Sequence, residues 1–178
     1  MGDGTEKQHV QNRFLTFKLD SEKYGIEILA VKEIIGHQKT IPVHKTPEYV
    51  KGVLNLRGQI IPIIDMSIKF GMQAKEPSAY TAIIITNIHD TNIGFIVDEV
   101  NEVATVTEEQ LSNPPEFGST IDVSYISKMA QINKDVIMIL NLDNIVDIKE
   151  ANSMQSFPKP AEAIHPEQNE DTQEGKKE

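Results

Sequence analysis

With 178 residues and a formal net charge of −10, the chain has the length of one domain, or of two small β units sharing a core. It contains no cysteine, which excludes disulfides, zinc–thiolate sites and thiol catalysis and fits a reducing compartment. Nucleic-acid binding needs clustered basic side chains to neutralise phosphates, and beyond Lys176-Lys177 the chain has no such cluster, so that class is disfavoured too.

Residues 1–12 are polar and aperiodic and read as a flexible N-terminal arm, without the basic and apolar regions of a secretory signal. The fold is expected over 13–150. Its apolar residues are biased toward Ile and Val, with aromatics at 6%, and β-branched side chains favour strands. Residues 14–19 form a first strand, which Asp20-Ser21-Glu22-Lys23 connects to a second at 24–28. Further on, 55–59 turns one strand into the next, and Gly58 supplies the positive φ that such a turn needs. Pro62 interrupts the run 60–64 and places it at an edge or bulge, because proline cannot donate to a ladder. A helical turn at 66–70, closed by Gly71, precedes a strand at 83–88. His89-Asp90-Thr91-Asn92 then connects to 93–97, and a second helical turn falls at 142–146. No apolar run approaches the roughly 20 residues of a membrane span, so direct membrane insertion is not expected. From Ala151 the composition shifts to Pro, Glu and Gln, with three Lys against six Asp/Glu over 151–178. That stretch reads as a disordered acidic tail. Phe157 and Ile164 offer the alternative of a short docking motif.

The folded part contains a repeat. Tyr24-Gly25-Ile26-Glu27-Ile28 falls on Ile93-Gly94-Phe95-Ile96-Val97, and Val31-Lys32-Glu33-Ile34 on Val100-Asn101-Glu102-Val103, at a constant offset of 94 − 25 = 69. Residues 55–61 fall on 131–137 at 131 − 55 = 76, as a seven-residue insertion would produce. Two related units, at about 14–72 and 83–148, follow. Doubled short strands at this spacing point to an all-β fold of two small barrels.

The catalytic inventory is thin. The histidines at 9, 37, 44, 89 and 165 lack metal-pair spacing and read as exposed loop residues. Asp98-Glu99 with Glu102 is the densest acidic patch in the fold, but without a histidine beside it a solvated face explains it. No nucleophile elbow, Walker loop or dinucleotide fingerprint occurs. The expectation is a non-enzyme with no catalytic residue, cofactor or metal. Glu33 and Arg57 stand out as charges set among apolar strand residues. They are either paired with each other or each solvated, and the pattern leaves both open.

The stretch Gly52-Val53-Leu54-Asn55-Leu56-Arg57-Gly58, continuing through Pro62-Ile63-Ile64-Asp65, resembles the hallmark G-V-x-N-L-R-G-x-x-x-P-[IV]-[IV]-D of the CheW family of chemotaxis adaptors. Residues 24–34 are similar to the family's Y-G-I-D-I-x-x-V-x-E-I, and Gly94 to Val100 to its G-x-x-V-D-x-V. The resemblance covers about residues 14–148. It implies two SH3-like five-stranded β barrels around a shared hydrophobic core, with short helical turns. It also implies a non-enzymatic cytoplasmic adaptor, recruited to membrane-associated arrays. There it would join the cytoplasmic tips of chemoreceptors to the histidine kinase CheA, whose regulatory domain shares the fold. By the family pattern Glu33 and Arg57 form an ion pair beside the receptor-binding groove, and Val31, Asn55 and Gly58 lie near the same surface.

Overall fold

The computed structural model describes residues 12–116 and 123–157. Four hairpins with two-residue loops organise the chain. Strand β1 (Asn12–Leu19) returns as β2 (Glu22–Glu27), and β4 (Val50–Leu56) as β5 (Gln59–Asp65). Likewise β6 (Ala82–Ile88) returns as β7 (Thr91–Val97), and β10 (Ile126–Ile132) as β11 (Asp135–Leu140). The first loop residue has positive φ in every case: Asp20 56°, Arg57 51°, His89 48° and Asn133 56°. Such turns match the right-handed twist of the strands they join. They are tighter than the sequence suggested, since Glu22, Lys23, Thr91 and Asn92 already belong to strands. Between the hairpins run β3 (Val31–Gly36), β8 (Glu99–Val106) and the short β9 (Leu111–Ser112). Helical turns α1 (Met66–Lys69) and α2 (Leu142–Ile145) follow β5 and β11, and α3 (Ile148–Gln155) ends the described chain.

The strands form two mixed sheets, in the orders β8-β1-β2-β11-β10-β9 and β3-β6-β7-β5-β4. Replacing each strand of the second sheet by its repeat counterpart gives the first, apart from β9, which lies in the longer β8–β10 connection. The repeat is therefore real, but the sheets do not follow its halves. Each half lends its leading hairpin to the other's sheet, which corrects the reading of 14–72 and 83–148 as two contiguous barrel units. Two parallel contacts seal the exchange: β5 on β7, pairing Ile63 with Gly94, and β11 on β2, pairing Ile139 with Gly25. The matched glycines sit there for a steric reason. A Cβ on Gly94 would lie 2.5 Å from Ile63 Cδ1, and one on Gly25 2.9 Å from Ile139 Cδ1.

The expectation of an edge or bulge at Pro62 is also corrected, because β5 runs between β7 and β4 and the β4–β5 register shifts only beyond it, between Val50 and Gly52. Val53 and Ile41 exchange both backbone hydrogen bonds, at 2.8 and 2.9 Å. The facing pair Val53–Pro62 is thus a non-hydrogen-bonded one, and the Pro62 nitrogen turns toward β7. Pairing with β7 begins only at Ile63, so the missing donor costs no ladder bond.

Three apolar clusters fill the molecule. Each sheet wraps a small one of its own: Leu54, Ile61, Ile63, Ile83 and Ile85 in one, and Phe14, Ala104, Val106, Ala130, Ile137 and Ile139 in the other. Between the sheets lies the large shared core, with Phe17, Tyr24, Ile84, Phe95 and Val146 at its centre. Strand β6 is buried on both faces, which is why 82–85 is an unbroken apolar run. Burial pushes the Tyr24 hydroxyl up to about 12.

The fold does not end at Glu150, as the tail composition suggested. Asp147 caps α3 by accepting the Glu150 N–H at 2.8 Å, and the helix places Ala151 and Met154, three residues apart on one face, in the shared core. Glu150 fastens the helix, accepting from Tyr49 at 2.5 Å and from Lys69 at 2.9 Å. The remainder of the expected tail, 158–178, lies outside the described residues, as does 1–11 of the N-terminal arm. Among the described residues no helix is long and apolar enough to cross a membrane.

Candidate partner-binding site

The β4–β5 loop is Arg57-Gly58, with φ values of 51° and 84°. Glycine is at home there, whereas arginine is held in a region that L residues seldom adopt. Asn55 at the end of β4 braces the loop, its Oδ1 accepting the Gly58 N–H at 2.9 Å. From this loop the Arg57 guanidinium donates to Glu33 Oε1 on β3, which decides the alternative in favour of a pair. The Arg57 side chain is 75% exposed and that of Glu33 30%, so the pair is partly solvated and contributes about 0.2–1 kcal/mol. Its position is more informative than its strength. Strands β3 and β4 are opposite edges of the same sheet, and the ion pair spans them where the backbone ladders do not.

Four of the five expected site residues, Glu33, Asn55, Arg57 and Gly58, thus come together. Val31 stands apart. It opens β3 opposite Thr86, separated from Glu33 by a bulge, and packs partly buried against the shared core. Just before it, the 3-10 turn Ile28–Ala30 projects Leu29 into solvent at 93% exposure. Ala30 in turn lines a cavity of about 270 Å³ between the sheets, with Glu27, Asn87, Leu140 and Leu142.

Sequence reading missed three polar residues on the same rim. Asn87 donates to Asn92 at 3.0 Å, and Asn92 donates to Gln59 at 3.3 Å. Asn87 and Asn92 face each other across the β6–β7 hairpin, a relation the loop position alone would have given.

The other candidates disperse. Asp98 is bound to Lys75 at 3.1 Å and Glu99 to Lys18 at 3.2 Å, so two members of the acidic patch are engaged in separate ion pairs. His37 and His44 are exposed, His89 Nε2 lies 3.6 Å from Asp143, and His9 and His165 fall outside the described residues. Among the described residues no three His, Asp or Glu side chains are grouped to hold a metal.

Comparison with known proteins identifies the family. A CheW-like domain matches residues 13–150. Chemotaxis protein CheW of Klebsiella aerogenes is 35% identical over 141 residues, covering 79% of this chain and 85% of that one. Its counterpart in Rhizobium meliloti is 30% identical over 146 residues, covering 80% and 94%. The crystal structure of the scaffolding protein TtCheW from Thermoanaerobacter tengcongensis superimposes with a TM-score of 0.71 at 32% identity, over 79% of this chain and 95% of that one. The chain belongs to the CheW-like domain family of chemotaxis scaffold proteins.

Proposed function

We propose that the chain is a non-enzymatic coupler that holds the cytoplasmic tips of methyl-accepting chemoreceptors against the histidine kinase CheA. Glu33, Asn55, Arg57 and Gly58 form the receptor-facing rim, and Val31 lies on the same strand as Glu33, beyond the bulge. The observation that carries this reading is an exposed arginine at a hairpin tip, strutted to Glu33 across the two edges of one sheet. A side chain with no task beyond the fold gains little from that placement, whereas a partner gains a pre-set guanidinium. A receptor tip is a helical hairpin, and exposed apolar residues such as Leu29 are what an apolar helix face can pack against. The kinase's regulatory domain, being of the same fold, would associate through sheet edges. The protein would then be cytoplasmic and concentrated at receptor arrays through its partners.

The test is co-sedimentation of the full chain with receptor-bearing membranes and purified CheA. The chain should pellet only with receptors and should carry the kinase with it. A chain that stays in the supernatant, or that pellets without recruiting kinase, contradicts the proposal.

A further inference from the structure

The ion pair is one link of a longer circuit around the end of its sheet. In strand order from β3, the ladder sets Val31 opposite Thr86 on β6. The next residue, Asn87, donates from Nδ2 to Asn92 Oδ1 on β7 at 3.0 Å. Asn92 Nδ2 then donates to Gln59 Oε1 on β5 at 3.3 Å. Gln59 directly follows Gly58, and Arg57 returns to Glu33 on β3. Every strand at this rim is thereby tied to the next by a backbone ladder, a side-chain bond or the loop, and the circuit closes on itself.

The core does not need these amides. Asn87 and Gln59 are exposed and Asn92 is half-buried, so water would satisfy them as well. Each has a short, planar group that donates and accepts at once, which suits a chain of single bonds. We propose that the Asn87–Asn92–Gln59 ladder is a positioning device for the Arg57 loop. It fixes where β5 begins relative to β7, and so the direction from which Arg57 meets Glu33 and a partner. Asn87 also lines the cavity between the sheets beside Ala30, so the ladder connects that cavity to the loop. The inference rests on the reading of the Arg57 loop as partner-facing. Asn92 is the lever, because it alone touches both other amides.

The experiment titrates a soluble chemoreceptor cytoplasmic fragment into the full chain by calorimetry. It compares the wild type, Asn92→Ala, Arg57→Ala and the double variant, with a melting curve for each. Asn92→Ala should melt like the wild type yet bind about three- to tenfold more weakly, on the order of one hydrogen bond, since of its two bonds only the one to Gln59 leads to the loop. That loss should vanish in the Arg57→Ala background, because the ladder acts through the arginine. Gln59→Ala, which breaks only the link nearest the loop, should reproduce it and serves if Asn92→Ala folds poorly. Wild-type binding by Asn92→Ala and Gln59→Ala, with Arg57→Ala weakened, overturns the ladder and leaves the loop's role intact. An equal loss in both backgrounds also overturns it, since the amides would then act independently of the arginine. Wild-type binding by Arg57→Ala removes the loop from the interface and the ladder's role with it.

Discussion

Trimming Met154 to alanine tests whether α3 is part of the fold. Met154 is 5% exposed and Ala151 fully buried, and both belong to the shared core that also holds Leu142 and Ile145. Truncating a buried methionine costs about 2–5 kcal/mol, and on a short helix at the margin of the core the site relaxes enough to fall near the low end, about 2–3 kcal/mol. For a domain of this size each kcal/mol shifts the melting temperature by about 2–4 °C, so a drop of about 4–12 °C is expected. Ending the chain after Glu150 should cost more, since it also removes Ala151 and the 2.5 Å bond from Gln155 to Thr91. Asn152→Ala, on the exposed face, is the control and should stay within about 0.5 kcal/mol of the wild type or stabilise slightly. The assay is calorimetric melting, with urea unfolding in parallel. Wild-type melting of both Met154→Ala and the chain ended at Glu150 would refute the assignment of α3 to the core.

Gly94→Ala should destabilise more than Gly25→Ala in urea unfolding. Its Cβ would meet Ile63 at 2.5 Å and Ile83 at 2.9 Å, against one contact at 2.9 Å and two at 3.4 Å for Gly25. Overpacking costs about 1–3 kcal/mol, and the reverse order would contradict the packing described. Leu29→Asp should leave stability within about 0.5 kcal/mol, because the side chain is 93% exposed, while weakening receptor-fragment binding. Unchanged binding would take Leu29 out of the interface. The hydrogen bond and charge of Lys75 hold the Asp20 carboxyl below its ordinary value of 3.8. Its stabilising effect is complete above that value and is lost as pH falls through the depressed one. An NMR titration should show the Asp20 midpoint below 3.8 and rising in Lys75→Met, and an unchanged midpoint would rule out the Lys75–Asp20 pair.

The hairpins were legible because turn chemistry and alternation are local. The repeat was legible because matched glycines carry more information than matched isoleucines. Which copy pairs with which was not, since a constant offset establishes equivalence and leaves partnership open. The clue lay in Gly25 and Gly94, whose lack of side chain makes room for isoleucines that follow the second offset, Ile139 and Ile63. Pro62 misled because proline excludes a donor without saying which neighbour would have needed it. Helix α3 was hidden by averaging: Asp147, Ala151 and Met154 form a capped amphipathic turn, but they stand at the head of a long polar stretch. The Glu33–Arg57 pair could be posed from sequence and decided only by geometry. Asn87 escaped notice because a polar residue in a strand is read by default as facing water, and Asn92 because it was taken as part of the turn.

Receptor-dependent kinase activity tests the account most directly. Phosphorylation of CheA is followed in receptor-bearing membranes without the chain, with the wild type and with Arg57→Ala. The wild type should activate strongly, and an Arg57→Ala variant that remains folded only a little, since an exposed pair contributes only about 0.2–1 kcal/mol to stability. Kinase activity that is the same with and without the chain would contradict the account.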